Sequence, residues 1–365
     1  MKYIVFLLNV GILMLSNIVG VHSQEVGQEG IIWENNLINI GGVLPENEVK
    51  VADYYYLNQT DSNAYIKEVI TDCGCAVVAY SEDTLAPNKV GHLQVTFDPE
   101  TRGGTFSKMI LVKTNIKPSG DSLFLEGVNI HYPENPEVHY KVKHNGLGFV
   151  FSQNNLGTLY TNKPKIKILD FYNFNDFPIQ INLKQDSIPS YVKVKMEPAL
   201  VEANSRGVLE IEYDPAARDD LGFIRDTFPL SFLSGEHFNV PIHLMATIHE
   251  YFPPLPLSQV DEVPKLLIDE MEIDLGKISS KNVVSRILTL ENTGPEILNI
   301  RKIVTNCECL TYELNTMDLK PGGKVDLVFS FDPEGRKGID HKTITFFSND
   351  PLTPTKTVVI KSRIR

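Results

Sequence analysis

The chain has 365 residues, 42% hydrophobic and 22% charged, with 24 Gly and 22 Pro. That apolar fraction excludes a disordered chain, and the length implies two or three domains. Lys and Arg total 34 against 46 Asp and Glu, a net charge of −12, which excludes a surface built for nucleic-acid phosphates, and four Cys exclude a disulfide-dense scaffold.

Met1–Ser23 opens with Lys2 and an apolar run from Tyr3 to Leu15, broken by Asn9 and Gly11. Val21-His22-Ser23 puts small residues at the −3 and −1 positions before Gln24. This is the layout of a signal peptide over 1–23, removed on export; the alternative is an uncleaved membrane anchor, which Asn9, Ser16 and Asn17 weaken as a span. No later stretch approaches the roughly 18 apolar residues of a membrane span. The mature chain is therefore expected outside the cytoplasm, without a span, where disulfides persist.

A glycine after an extended stretch recurs at Gly41, Gly157 and Gly276. Each precedes an aromatic-Asp-Pro: Phe97-Asp98-Pro99, Tyr213-Asp214-Pro215 and Phe331-Asp332-Pro333. The glycine-to-aromatic spacing is 56, 56 and 55 residues, and the glycines lie 116 and 119 apart. Near-constant spacing in three places marks an internal repeat. Leu93–Phe97, Val208–Tyr213 and Val325–Phe329 alternate in period two, as half-buried strands do. Ala86-Pro87-Asn88-Lys89 and Lys320-Pro321-Gly322-Gly323 are turns with a Pro ten residues before the Phe. Asp-Pro closes each strand, because Pro donates no ladder bond. No segment has sustained helical period.

Each unit of about 100 residues and some seven short strands has the size of an immunoglobulin-like sandwich. The expected fold is all-β: three tandem immunoglobulin-like sandwiches at 31–132, 138–250 and 262–365, after the leader. Pro133–Pro136 and Pro253–Pro256 are read as stiff, extended boundaries.

Cys73-Gly74-Cys75 lies in the first unit and Cys307-Glu308-Cys309 in the third, each ending 22 residues before its Phe. The same offsets in the second unit give Pro189 and Tyr191. The third unit also carries Asn292-Thr293-Gly294, Pro321-Gly322-Gly323 and Ser348-Asn349-Asp350-Pro351. In this order the chain resembles domain-of-unknown-function family 1573, immunoglobulin-like relatives of hydin-type modules. The resemblance implies a protein exported by a diderm bacterium, with no established activity. The first unit departs at Gln59-Thr60-Asp61, where Asp replaces the turn Gly, and the second is a degenerate copy.

Residues i and i+2 on a strand share a face, so both sulfurs of each pair can meet one partner. A bond within a pair needs a tight bend, since a fully extended pair lies near the upper Cα limit of about 6.8 Å. Gly74 accepts a positive-φ turn more readily than Glu308. Three readings stay open for Cys73, Cys75, Cys307 and Cys309: structural cysteines, a redox pair, or the start of a soft-metal site for copper or zinc. A bridge between the two motifs is not expected. His131, His139 and His144 show no metal-ligand spacing, and Asp98, Asp214 and Asp332 are read as turn residues. Asn58-Gln59-Thr60 is an N-glycan sequon, relevant on a eukaryotic secretory path.

The expected function is a non-enzymatic exported binding or scaffold protein of the cell envelope, in the periplasm or at the surface. It would be an accessory subunit of an outer-membrane or surface complex. A protein is the first partner class and a glycan the second; no nucleic acid and no cofactor is expected. The alternative is a thiol-redox or copper-handling protein using the two Cys-x-Cys pairs.

Overall fold

The computed structural model describes residues 30–47, 49–81, 83–98, 103–182, 187–234 and 236–365. The leader expected at 1–23 and Pro99 lie outside the described residues. Strands β1 (Ile31–Trp33), β2 (Leu37–Val43), β3 (Lys50–Asn58), β4 (Ile66–Thr71), β5 (Ala76–Tyr80), β6 (Val90–Phe97), β7 (Gly104–Thr114) and β8 (Asp121–Asn129) come first. They form two four-stranded sheets, ordered β1-β3-β6-β5 and β2-β8-β7-β4.

Then follow β9 (Val142–His144), β10 (Leu147–Phe149), β11 (Asn154–Tyr160), β12 (Lys165–Asn173), β13 (Gln180–Ile181), β14 (Val192–Glu197), β15 (Ser205–Tyr213), β16 (Gly222–Ser234) and β17 (Glu236–His249). Their sheets are β14-β15-β12-β10-β9 and β11-β17-β16-β13. Last come β18 (Leu266–Ile268), β19 (Glu272–Ile278), β20 (Val284–Asn292), β21 (Leu298–Thr305), β22 (Leu310–Leu314), β23 (Asp318–Leu319), β24 (Lys324–Phe331), β25 (Gly338–Ser348) and β26 (Thr355–Ile364). These give β18-β20-β24-β22 and β19-β26-β25-β21-β23.

Among the described residues, helix is limited to single turns: α1 (Pro136–His139), α2 (Pro215–Arg218) and a 3-10 turn at Leu257–Gln259. The described residues divide into two compact units. One holds those up to 38 with 51–97 and 107–125; the other holds 39–50, 98–106 and 126–365.

The expected alternation is present. Leu93, Val95 and Phe97 of β6 are buried with Ile110, Val112 and Leu123. Leu209, Ile211 and Tyr213 of β15 join Phe171, Phe232 and Ile242 in a second core. Leu327, Phe329 and Phe331 of β24 join Leu290, Phe346 and Ile360 in a third. The aromatic of each aromatic-Asp-Pro is thus an inward residue at the end of its strand. Tyr213 donates its hydroxyl to Asp226 at 2.7 Å. Burial, and then that carboxylate, push its phenol well above the usual tyrosine range.

The repeated glycines have a conformational cause. Gly41, Gly157 and Gly276 have φ of 72°, 78° and 65°. Each backbone N–H donates to a side chain two residues earlier, Asn39, Asn155 or Asp274, at 2.7–2.8 Å. Only Gly enters the left-handed region at little cost. At Gly157 and Gly276 this turn makes a bulge in the parallel pairs β11–β17 and β19–β26.

A deeper repeat lies at Asn58, Asn173 and Asn292, all 0% exposed at the ends of β3, β12 and β20. Each Nδ2 donates to the carbonyl four residues on: Ser62, Phe177 and Glu296, at 2.9, 2.9 and 2.7 Å. Each also reaches a carbonyl across the turn, Leu85, Val201 or Leu319, at 2.9, 3.4 and 3.0 Å. Each Oδ1 accepts the N–H two residues on, from Thr60, Asn175 and Gly294, at 3.0–3.1 Å. Two corrections follow. Asn58 aligns with Asn292, so the residue in the place of Gly294 is Thr60, not Asp61. The carboxamide of the sequon is consumed by internal bonds and faces no solvent, so the folded chain cannot carry a glycan there.

The boundary expectation is corrected in part. Pro136 is not in extended chain: Asn135 caps a helical turn and accepts from Val138 N–H, with Pro136 at the first helical position. Nearby, within the second unit, the Arg206 guanidinium is fully buried. It grips Glu46 with two bonds of 2.6 Å and donates to the carbonyls of Ile130 and His131 at 3.0 and 2.9 Å. Further along, Lys302 pairs with Asp220 and donates to the Leu221 carbonyl at 2.8 Å. Arg301 grips Glu250 at 3.0 and 3.2 Å.

Two stability outcomes follow from these buried groups. Asn292→Ala strips four backbone groups of their partner, and a loss of about 2–4 kcal/mol in chemical denaturation is expected. Arg206→Ala leaves the Glu46 carboxylate and two carbonyls without their donor and should cost about 3 kcal/mol or more. Arg206→Lys should recover little of it, since an ammonium lacks the planar fork; full recovery would show that charge alone suffices.

Candidate functional site

Both Cys-x-Cys pairs lie in turns, not on strands, which corrects the same-face expectation. Cys73–Cys75 occupies the turn between β4 and β5, and Cys307–Cys309 the turn between β21 and β22. Each pair is bonded within itself, with Cα atoms 5.3 and 5.1 Å apart, closer than an extended pair allows. Neither Gly74 nor Glu308 is among the positive-φ residues, so the bend does not need glycine at its centre. Bonded sulfurs are not thiolates, so either pair can take a soft metal only after reduction.

The two turns are built alike. Thr71 and Thr305 donate their hydroxyls to the carbonyls of Cys73 and Cys307, at 2.9 and 3.2 Å. Asp72 and Asn306 accept the N–H of Met109 and Thr343 at 3.2 and 3.0 Å, and donate their own N–H back to the same residues. Each turn feeds an edge strand, β5 or β22, with the same burial alternation.

The middle copy keeps this frame without sulfur. Leu310 N–H donates to Cys307 O at 3.1 Å, and Val192 N–H to Pro189 O at 2.9 Å. Asp332 N–H donates to Cys309 O and Asp214 N–H to Tyr191 O, both at 2.8 Å. Pro189 and Tyr191 therefore stand where the offsets place them. Asp214 and Asp332 act as turn residues: Asp214 caps α2 and Asp332 accepts from Glu334 N–H.

The sulfurs differ in their surroundings. Cys75 is 6% exposed, while Cys309 is half-buried. Sγ of Cys307 accepts from Arg336 Nη2 at 3.0 Å and from Cys309 N–H at 3.1 Å. Cys309 lines an open cleft of about 530 Å³ with Val283, Glu308, Asp332, Glu334 and Arg336. Arg336 belongs to no local sequence motif. Its signal was an offset: an Arg stands 29 residues after Cys73, Pro189 and Cys307, at Arg102, Arg218 and Arg336. Arg102 lies outside the described residues. Arg218 bonds Asp226 at 3.1 and 3.2 Å and lies over the Tyr191 ring. Among the described residues no group of three or more His, Cys, Asp or Glu is arranged to hold a metal, and His131, His139 and His144 are not brought together as one.

A family model described as protein of unknown function (DUF1573) matches residues 31–129 and 266–364. The chain belongs to the DUF1573 family. Each matched DUF1573 segment contains one bonded turn, and the copy without cysteine lies between them. No curated protein matches the chain. A Porphyromonas gingivalis W83 protein of unknown function is 17% identical, with a TM-score of 0.43 over 60% of this chain and 100% of its own. The periplasmic chaperone SfaE is 15% identical, with a TM-score of 0.22 over 60% of this chain and 100% of its own. A PapD-like domain of human CEP192 is 12% identical, with a TM-score of 0.26 over 32% of this chain and 93% of its own. At these scores the likenesses assign neither activity nor partner to this DUF1573 protein.

Because the middle copy closes the same turn with Pro189 and Tyr191, replacing all four cysteines with Ser should leave the fold standing. A three-residue loop gains far less from cross-linking than the roughly 3 kcal/mol of a 15-residue one. Ser at the buried Cys75 position costs about 1–3 kcal/mol if its hydroxyl finds no partner. Thermal melting with circular dichroism checks this, and loss of the β signal at room temperature would make the bonds essential to the fold.

Proposed function

We propose that this chain is a non-enzymatic, exported binding or scaffold protein of the bacterial cell envelope, an accessory subunit of an outer-membrane or surface complex. In this proposal it consists of three tandem immunoglobulin-like sandwiches at 31–132, 138–250 and 262–365, following a leader cleaved after Ser23. The six sheets, drawn in pairs from successive stretches of chain, and the three Asn clamps support that division.

The observation that carries the binding role is β5. It ends the sheet order β1-β3-β6-β5 and reads Ala-Val-Val-Ala-Tyr. Edge strands are usually protected by charge, Pro or a bulge. β5 has neither charge nor Pro, pairs in unbroken register with β6, and leaves Val77 63% exposed. Its counterpart β22 carries Glu313. An extended segment of a partner protein can add to β5 through backbone bonds and set its apolar side chains beside Val77.

Cross-linking in intact cells, followed by envelope fractionation, tests the proposal. The chain should be recovered from the envelope joined to a protein partner. Val77→Lys should melt within about 0.5 kcal/mol of wild type, as surface changes do, and lose that partner. Recovery in the cytoplasm, or capture unchanged by Val77→Lys, would overturn the exported edge-binding role.

A further inference from the structure

We infer that Cys307–Cys309 is an asymmetric thiol–disulfide exchange site, in which Cys309 is the sulfur attacked and Cys307 the sulfur released as thiolate. Both cysteines are half-buried, with Cys309 also packed on the third core, and they differ in what they face. The attacked sulfur needs access, and Cys309 lines the open cleft. The departing sulfur needs stabilisation as an anion, and Cys307 Sγ already accepts from the Arg336 guanidinium at 3.0 Å and the Cys309 N–H at 3.1 Å. A thiolate beside a guanidinium lies below the ordinary thiol pKa of about 8.5 and leaves faster.

The frame shows that Arg336 is not committed to the sulfur by the fold. Arg218, at the same offset in the copy without cysteine, makes two bonds of 3.1 and 3.2 Å to Asp226. Arg336 approaches Asp340, four residues on, at 3.7 Å, and its Nη2 turns to Cys307.

The step balances without a further reagent. An incoming thiolate attacks Cys309 Sγ; the Cys309–Cys307 bond breaks, and its electron pair stays on Cys307 as thiolate. A second thiolate of the same partner then attacks the partner's own sulfur in the mixed disulfide and releases Cys309 as thiolate. Two electrons pass from the partner dithiol to the cysteine pair, and the partner leaves with a disulfide. Glu308, Asp332 and Glu334 surround the cleft with one guanidinium. A thiol carried on a basic segment is the substrate class this charge favours.

The test uses the full chain with Cys73→Ser and Cys75→Ser, and cysteamine as a small cationic thiol. After brief exposure, acid quenching and alkylation, peptide mapping should find cysteamine on Cys309 and the alkyl group on Cys307. An adduct on Cys307, an even distribution, or no adduct would overturn the assignment. In the same background, Cys309→Ser leaves Cys307 as the one thiol. Its alkylation rate against pH should show a thiolate pKa below 8.5, and Arg336→Gln should slow alkylation at pH 7 about tenfold. An unmoved pH profile in a folded Arg336→Gln chain would give Arg336 a structural role only. Should Arg336→Gln fail to fold, the adduct position in the chain retaining Arg336 still decides which sulfur is attacked.

Discussion

One buried carboxamide per repeat holds the turn on which the rest of each repeat depends. Asn58, Asn173 and Asn292 each end a strand, and each joins the loop that follows to a segment about 27 residues on. Two carbonyls and an N–H that would otherwise be buried without partners are satisfied by a single side chain. No charged residue does this as well: a carboxylate cannot donate and an ammonium cannot accept. With this pairing made, β3, β12 and β20 run in register with their neighbours and deliver Phe97, Tyr213 and Phe331 to their cores.

A frame closed in this way leaves the Cys-x-Cys turn free to vary. Backbone bonds from Leu310 and Asp332, matched by Val192 and Asp214, shape the turn whether its ends are sulfur, proline or tyrosine. The cysteines are thus additions to a turn that already exists, and their surroundings distinguish them. Cys75 is covered, Cys309 borders a cleft, and Cys307 sits under a guanidinium. Two motifs with the same cysteine spacing become two different sites.

The same frame leaves edges. β5 and β22 both begin at a bonded turn, which anchors the start of each edge strand. The uncharged Ala76–Tyr80 stretch lacks the usual edge protection, which is the basis of the proposed strand addition. A pinned strand start lowers the ordering cost of such an addition, because fewer residues must be immobilised when the partner binds.

The sequence by itself determined the all-β class, the presence of repeated units and the inward aromatics. Those signals are local: period-two alternation, a glycine that must take positive φ, and an Asp-Pro that ends a strand. The offsets to Pro189 and Tyr191 were legible for the same reason, since a repeat preserves spacing. What escaped were groups whose meaning depends on partners far along the chain. Asn58 read as an N-glycan sequon, because nothing near it shows that Ser62 and Leu85 consume its carboxamide. Arg206 carries no local signal, because 160 residues separate it from Glu46. Gly74 and Glu308 suggested different turns, yet neither takes a positive φ. The tertiary structure alone decided which sulfur meets Arg336, because hydrogen bonds and burial arise between segments that only folding brings together.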